Sequence, residues 1–258
     1  LKNLLIGSEG TLGVITVATL KLKPIEPESG TTLLAIKSPH DIHKIYKLLK
    51  THVSENISAI ELMSGFGVSL VTSKFPKLRN PFNVDYEWFL LIEVTGAIGI
   101  VERLENALQD CFDHDILLDA IIAQSKQQKD DLWDLREMTP EANKLAGAFC
   151  NSDTSVPISK ISNFIDNSFS AIQKIYPNLR INSYGHIGDG NIHLNVLPPK
   201  EISKFDFLKN NPKVIEEVRM AINETTHSLG GSISAEHGIG RLKIKDLEMY
   251  ANKARLKA

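Results

Sequence analysis

The chain has 258 residues, 42% hydrophobic and 23% charged, with 29 basic against 31 acidic side chains and a formal net charge of −2. This balance fits one or two globular domains with a buried core. It offers no basic surplus for nucleic acid or an anionic membrane, and no apolar run reaches the roughly 18 residues that a membrane helix needs.

Residues 13–23 read as a strand, with Val14, Thr16, Ala18, Leu20 and Leu22 alternating with their neighbours and β-branched residues frequent. Two prolines and a glycine mark 24–30 as a linker. A strand is predicted over 32–37. Ser38-Pro39 then starts a helix that runs to about Val53, with Ile42, Ile45, Leu48 and Leu49 on one face. Strands follow over 57–63, with a short helix behind it, and over 86–95. Val101, Leu104, Leu108 and Cys111 are spaced by three and four, which predicts a helix over 98–112. A strand over 116–124 completes the order β-α-β-β-α-β.

A charged, helical connector occupies 125–145, and the order then repeats. Strands are predicted over 149–156, 180–186, 191–197 and 232–235. Helices are predicted over 159–176, with Ile161, Phe164, Ile165, Ile172 and Ile175 on one face, and over 212–229. The expected fold is α+β, with two ferredoxin-like β-α-β-β-α-β units built on antiparallel sheets. The repeat is one of element order, not of sequence identity. Cys111 and Cys150 are too few for a disulfide framework and read as reduced structural thiols. The chain starts at Leu1 with no secretory pattern and its last residues continue a helical pattern, so a piece of a longer protein is expected.

The segment 184–195 carries the most chemistry. Asp189-Gly190 between two alternating runs predicts a two-residue hairpin turn. Centred there, His186 would face His193, with Asn195 on the same face and Ile187, Ile192, Leu194 and Val196 on the other. Two imidazoles on one face can share a metal ion. Glu236, framed by Gly230, Gly231, Gly238 and Gly240, is the best third ligand. Two histidines, one carboxylate and an open position suit zinc or a similar catalytic ion. By itself this set would also serve a metal-dependent hydrolase, although no His-Glu-x-x-His helix is present. A non-catalytic ferredoxin-like module explains the architecture but not the cluster.

Three motifs carry a resemblance: Gly-His-Ile-Gly-Asp-Gly-Asn-Ile-His-Leu-Asn at 185–195, Glu-His-Gly-Ile-Gly at 236–240, and Leu-Ile-Gly-Ser-Glu-Gly-Thr-Leu-Gly-Val-Ile-Thr at 5–16. They resemble the FAD-linked oxidase C-terminal domain family, whose flavin domain is of the vanillyl-alcohol oxidase type and which includes D-lactate, D-2-hydroxyglutarate and glycolate dehydrogenases. Glu61-Leu-Met, Leu-Arg136-Glu and Asp153-Thr-Ser-Val-Pro also fit. The resemblance implies that residues 1–24 end an FAD-binding domain and that 25–258 form the substrate and metal domain, without its closing segment. It implies FAD and a divalent metal, zinc or manganese, as cofactors. His186, His193 and Glu236 would hold the metal, His237 would be the general base, and Arg136 and Asn195 would bind substrate. Gly7, Ser8, Glu9 and Gly10 would lie beside the flavin.

The implied reaction oxidises a D-2-hydroxyacid to the 2-oxoacid by hydride transfer to flavin, with an unidentified electron acceptor, and this chain alone would be inactive. A homodimer is open, and the location would be cytoplasmic in a bacterium or mitochondrial in a eukaryote, not secreted. Two positions depart from the pattern for 2-hydroxyglutarate, Asn151 in place of a lysine and Pro140 in place of a threonine. Both argue against that acid and leave lactate or another small hydroxyacid.

Overall fold

The computed structural model describes residues 1–251. In chain order its elements are α1 (Lys2–Leu5), β1 (Glu28–Ile36), α2 (Ile42–Val53), β2 (Ile57–Ser64), α3 (Gly65–Lys74), β3 (Trp88–Gly96), α4 (Ile100–Asp113) and β4 (Leu117–Ile122). There follow α5 (Lys126–Glu137), α6 (Thr139–Leu145), β5 (Cys150–Asn151), β6 (Thr154–Ser155), α7 (Ile161–Ile175), β7 (Arg180–His186), β8 (Asn191–Leu197), α8 (Lys204–Asn210), α9 (Val214–Ser228) and α10 (Ile244–Tyr250). The helical pattern at the very end of the sequence extends over residues 252–258, outside the described residues.

The first β-α-β-β-α-β unit forms in full, and the second forms without a full fourth strand. They share one eight-stranded sheet of order β4-β1-β3-β2-β7-β8-β5, with β6 also paired to β8. The join is the antiparallel pair of β2 with β7, where Glu61 meets His186 and Met63 meets Tyr184. The first unit has the order 4-1-3-2. The second mirrors it, but its fourth strand, expected over 232–235, is reduced to one bridge between Ser232 and Ser155.

Alternation along the strands creates two apolar faces. Leu34, Ile36, Leu62, Leu90, Ile92, Ile192, Leu194 and Val196 point to one side and are covered by apolar residues of α2, α4, α7 and α9. Ile42, Ile45 and Leu49 of α2 and Leu104, Leu108 and Cys111 of α4 are among the buried residues there, as their spacing predicts. On the opposite face, Leu33, Ala35, Met63, Phe89 and Leu91 pack under α3, α5 and α6. Those helices cover the first unit's half of that face. The second unit's half carries polar residues instead, and the candidate site lies there.

Helix starts follow their caps. Ser64 Oγ accepts from Gly67 N–H at 3.1 Å at the start of α3, and Ser125 Oγ accepts from Gln128 N–H at 3.2 Å at the start of α5. Strand β1 begins inside the expected linker, because Glu28 is fastened. Its carboxylate accepts from Gly99 and Ile100 N–H at 2.7 and 2.8 Å, at the N-terminus of α4.

The strand expected over 13–23 does not form. Residues 14–24 have no regular structure, and Val14, Val17, Leu20 and Leu22 are exposed. An alternating segment becomes a strand only when a neighbour satisfies its backbone groups, and no described strand pairs with this one. The connector over 125–145 is helical as expected, but it is broken at Met138 into α5 and α6, with Pro140 in the first turn of α6 where proline costs least.

Candidate metal and substrate site

The site is built on β2, β7 and β8. Tyr184 and His186 of β7 share a face with Asn191, His193 and Asn195 of β8, and Glu61 of β2 lies opposite His186 on that face. The hairpin register differs from the expected one. His186 faces Asn191 and Tyr184 faces His193, so the loop is Ile187–Asp189 plus Gly190, not the two residues Asp189-Gly190. The expected direct pairing of His186 with His193 is therefore replaced by a diagonal one. The reason lies in the turn. Gly190 adopts φ +74°, its N–H reaches back to Ile187 O at 3.3 Å, and Val156 O packs where a side chain at 190 would stand. A shift of two residues keeps every side chain on its face. The two imidazoles still meet, with ring centroids 6.0 Å apart.

Each histidine has one ring nitrogen occupied by the protein. His186 Nδ1 is 2.7 Å from Glu61 Oε1, and His193 Nδ1 is 3.3 Å from Ser152 O. With Nδ1 taken by the protein, Nε2 is the nitrogen left to a metal, the arrangement by which neighbouring groups orient metal-binding histidines. His186 Nε2 is 3.2 Å from Glu236 Oε1. One ligand atom from each of His186, His193 and Glu236 can be chosen so that all three lie within 4.8 Å of one another. This donor set fits a divalent ion with a position left open. The hydrogen bond that His186 donates to Glu61 raises the His186 pKa, while burial lowers that of His193. Asn191 Nδ2 donates to Glu236 Oε1.

Arg136 is buried, not solvated. Its Nε donates to Glu61 Oε2 at 2.9 Å, and its guanidinium lies 4.8 Å from the Tyr184 ring centre. Glu61 thus bridges Arg136 and His186 with its two oxygens. Asn195 is buried and donates from Nδ2 to the Tyr184 hydroxyl at 3.3 Å. Burial raises the pKa of Tyr184, which keeps the phenol protonated. The Tyr184 and His193 ring centroids are 5.1 Å apart.

Glu236 and His237 sit in a loop without helix or strand. Asp153 shapes it, accepting from Ala235, Glu236 and His237 N–H at 3.1, 3.0 and 2.8 Å. Burial works against ionisation of Asp153, and these donors outweigh it, so its pKa ends below the usual carboxylate range. The strand expected over 149–156 is split into β5 and β6 at Ser152-Asp153, where Asp153 turns to this loop and Ser152 O meets His193. His237 stacks on His193 at 5.9 Å with an 18° tilt, and its Nδ1 is 3.9 Å from Asp153 Oδ2. Of the N-terminal residues, Glu9 reaches this loop and accepts from Ile239 and Gly240 N–H. No contact ties Gly7, Ser8 or Gly10 to the cluster. Ser8 O instead accepts from Thr11 within its own turn.

Glu61, Asp153, Tyr184 and Asn191 join the cluster with no role expected of them from the sequence. Tyr184 and Asn191 were legible, since each lies two residues before a histidine on the same strand face. Glu61 had a weaker signal, an acid inside the apolar run Ile60-Glu61-Leu62-Met63. Nothing local marked Asp153 as a loop anchor.

The model of the family "FAD linked oxidases, C-terminal domain" matches residues 27–258, and the chain belongs to that family. Among curated proteins it is 31% identical over 249 residues to D-2-hydroxyglutarate dehydrogenase, mitochondrial, of Arabidopsis thaliana, covering 96% of this chain and 42% of the relative. It is 32% identical over 260 residues to D-2-hydroxyglutarate dehydrogenase of Stutzerimonas stutzeri (99% and 54%). It is 29% identical over 255 residues to a putative mitochondrial D-lactate dehydrogenase of Schizosaccharomyces pombe (94% and 46%). The chain thus spans about half the length of these relatives. Among solved structures it resembles alkyldihydroxyacetonephosphate synthase, with a TM-score of 0.60 at 14% identity over 90% of this chain and 45% of that one. It also resembles 4-ethylphenol oxidase from Gulosibacter chungangensis, with a TM-score of 0.58 at 12% identity (92% and 51%). These two likenesses concern the fold. No helix among the described residues is long and apolar enough to cross a membrane.

Proposed function

We propose that this chain is the substrate and metal domain of an FAD-dependent dehydrogenase that oxidises a D-2-hydroxyacid to the 2-oxoacid. The observation that carries the reading is the convergence of His186 Nε2, His193 and Glu236, with the His186 ring held in place by Glu61. Residues 1–24 belong in this reading to the end of a flavin-binding domain. The family match begins at residue 27, and Val14, Val17, Leu20 and Leu22 offer apolar surface to such a domain.

A divalent metal held by His186, His193 and Glu236 would supply Lewis acidity at the substrate hydroxyl, and FAD would supply a hydride acceptor. The protein's residues do the rest. Arg136 engages Glu61 through Nε, which would leave its Nη groups to donate to the substrate carboxylate. Asn195 Nδ2 adds a donor. His237 takes the hydroxyl proton on Nε2, with Nδ1 turned toward the negative Asp153. Loss of that proton and of the C2 hydride leaves the 2-oxoacid. Asn151 lies opposite Asn195 and brings no charge to this face, so the acid proposed is small and lactate-like. The names of the relatives make D-2-hydroxyglutarate the alternative.

The test is an assay of the flavin-bearing protein that contains this chain, with an artificial electron acceptor and both isomers of lactate and 2-hydroxyglutarate. The D isomer of one acid should be oxidised at least about 100-fold faster than the L isomer, a difference of about 2.7 kcal/mol. Preference for L isomers, or oxidation of neither acid, would overturn the reading.

A further inference from the structure

The loop that carries Glu236 and His237 has no regular structure beyond the bridge at Ser232, yet its backbone is held in detail. Of the six consecutive N–H groups from 235 to 240, five end on a carboxylate. Asp153 takes those of Ala235, Glu236 and His237. Glu9, more than 220 residues away in sequence, takes those of Ile239 at 2.6 Å and Gly240 at 2.7 Å. Charge-assisted bonds of this length are among the stronger ones in proteins. The two donors hold the Glu9 carboxyl below its ordinary pKa, so it is ionised at neutral pH.

Two further observations single Glu9 out. Gly238 sits at φ +79°, and a Cβ there would fall 2.5 Å from Glu9 Oε1, so the loop meets Glu9 backbone first. Glu9 itself adopts φ +50°, between Gly7 at +80° and Gly10 at +76°. That conformation is unfavourable for a side-chain-bearing residue. A glycine would relax it. What a glutamate adds is the carboxylate, and the carboxylate goes to the loop.

We propose that Glu9 is a positioning residue for Glu236 and His237: by capturing the Ile239 and Gly240 N–H groups it locks the loop that carries them and ties it to the turn Gly7–Gly10. The lock stands on geometry alone. Its consequence for metal binding rests on the metal-site reading above. Because Glu9 belongs to the turn assigned to the flavin side, the lock also couples the two halves of the site.

The experiment compares wild type, Glu9→Gln and His193→Ala by amide hydrogen exchange in metal-free protein, and by titration with Zn²⁺ and Co²⁺. Glu9 is exposed, so Glu9→Gln should melt with wild-type temperature. Exchange at Ile239 and Gly240 should accelerate at least about 10-fold in Glu9→Gln, while 235–237, held by Asp153, keep their protection. Zn²⁺ should bind about 5- to 10-fold more weakly, and the visible spectrum of bound Co²⁺ should change, which a merely structural role far from the ion would not produce. His193→Ala should lose the metal and keep the protection at 239 and 240. Unchanged exchange in Glu9→Gln overturns the lock. Faster exchange with unchanged Zn²⁺ affinity and Co²⁺ spectrum overturns the positioning role. Failure of wild type to bind either ion overturns the metal reading and the positioning role with it, while exchange still reads the lock.

Discussion

Replacing Glu61 by glutamine removes one negative charge that serves two partners. The Glu61 side chain is 7% exposed and that of Arg136 8%, so their ion pair is buried. Removing one partner of a buried pair leaves the other charge uncompensated, at about 3–5 kcal/mol. Glutamine keeps the volume and one acceptor, so the lower end applies, about 3 kcal/mol. In a chain of this size each kcal/mol lowers the melting temperature by about 2–4 °C, which gives a fall of roughly 6–12 °C. The second partner is His186. The Glu61 hydrogen bond raises its pKa in the metal-free protein. A raised folded pKa contributes stability that is complete below the ordinary value of about 6.5 and is lost as pH rises through the folded value. In Glu61→Gln that acid-side gain should shrink. Loss of the oriented ring should also weaken metal binding about 10- to 100-fold. The assays are thermal unfolding from pH 5 to 8 and a metal titration. The double variant Glu61→Gln with Arg136→Met should recover part of the stability, because it no longer buries an unpaired guanidinium. A Glu61→Gln protein that melts like wild type at every pH and binds metal equally well would refute the bridge.

Two other outcomes follow from burial and backbone geometry. Burial pushes the Cys111 and Cys150 thiols up to about 11. Native protein at pH 8 should therefore resist alkylation, about 100-fold or more slower than a free cysteine, and gain two labels by mass spectrometry only after denaturation. The folded state also holds these protons longer than the unfolded one, so stability should fall as pH rises from about 9 to 11. Labelling of native protein at the free-cysteine rate would contradict this. Gly190→Ala should lose at least about 1–3 kcal/mol in thermal or denaturant unfolding, because φ is +74° and Val156 O occupies the space of its Cβ. An unchanged midpoint would contradict the turn geometry.

The helices and the strands that form the sheet were legible because burial repeats every second residue in a strand and every three to four in a helix. Ile42, Ile45 and Leu49, or Leu104, Leu108 and Cys111, declare their faces without help from distant contacts. Three features depended on distant groups and were not legible. Residues 13–23 have the alternation of a strand but no described partner, and pattern does not supply a partner. The break between β5 and β6 depends on Asp153 turning to a loop some 80 residues away. The hairpin register depends on Val156 packing against Gly190. In the site, the strand alternation and the glycine frame singled out His186, His193 and Glu236, which the fold brings within 4.8 Å of one another, whereas Arg136 entered through the resemblance alone. Of their supports, Tyr184 and Asn191 left a signal in the strand alternation, Glu61 only a weak one and Asp153 none, because a buried acid such as Glu61 takes its meaning from what the sheet places beside it.

His186, His193 and Glu236 are proposed to form one metal site. Competition of Zn²⁺ between a chromophoric chelator and the protein tests it most directly, in wild type and in His186→Ala, His193→Ala and Glu236→Ala. Wild type should bind one equivalent, with affinity at least about 100-fold lower in each variant, about 2.7 kcal/mol. Wild-type protein that binds no Zn²⁺, or variants that bind it as tightly as wild type, would contradict it.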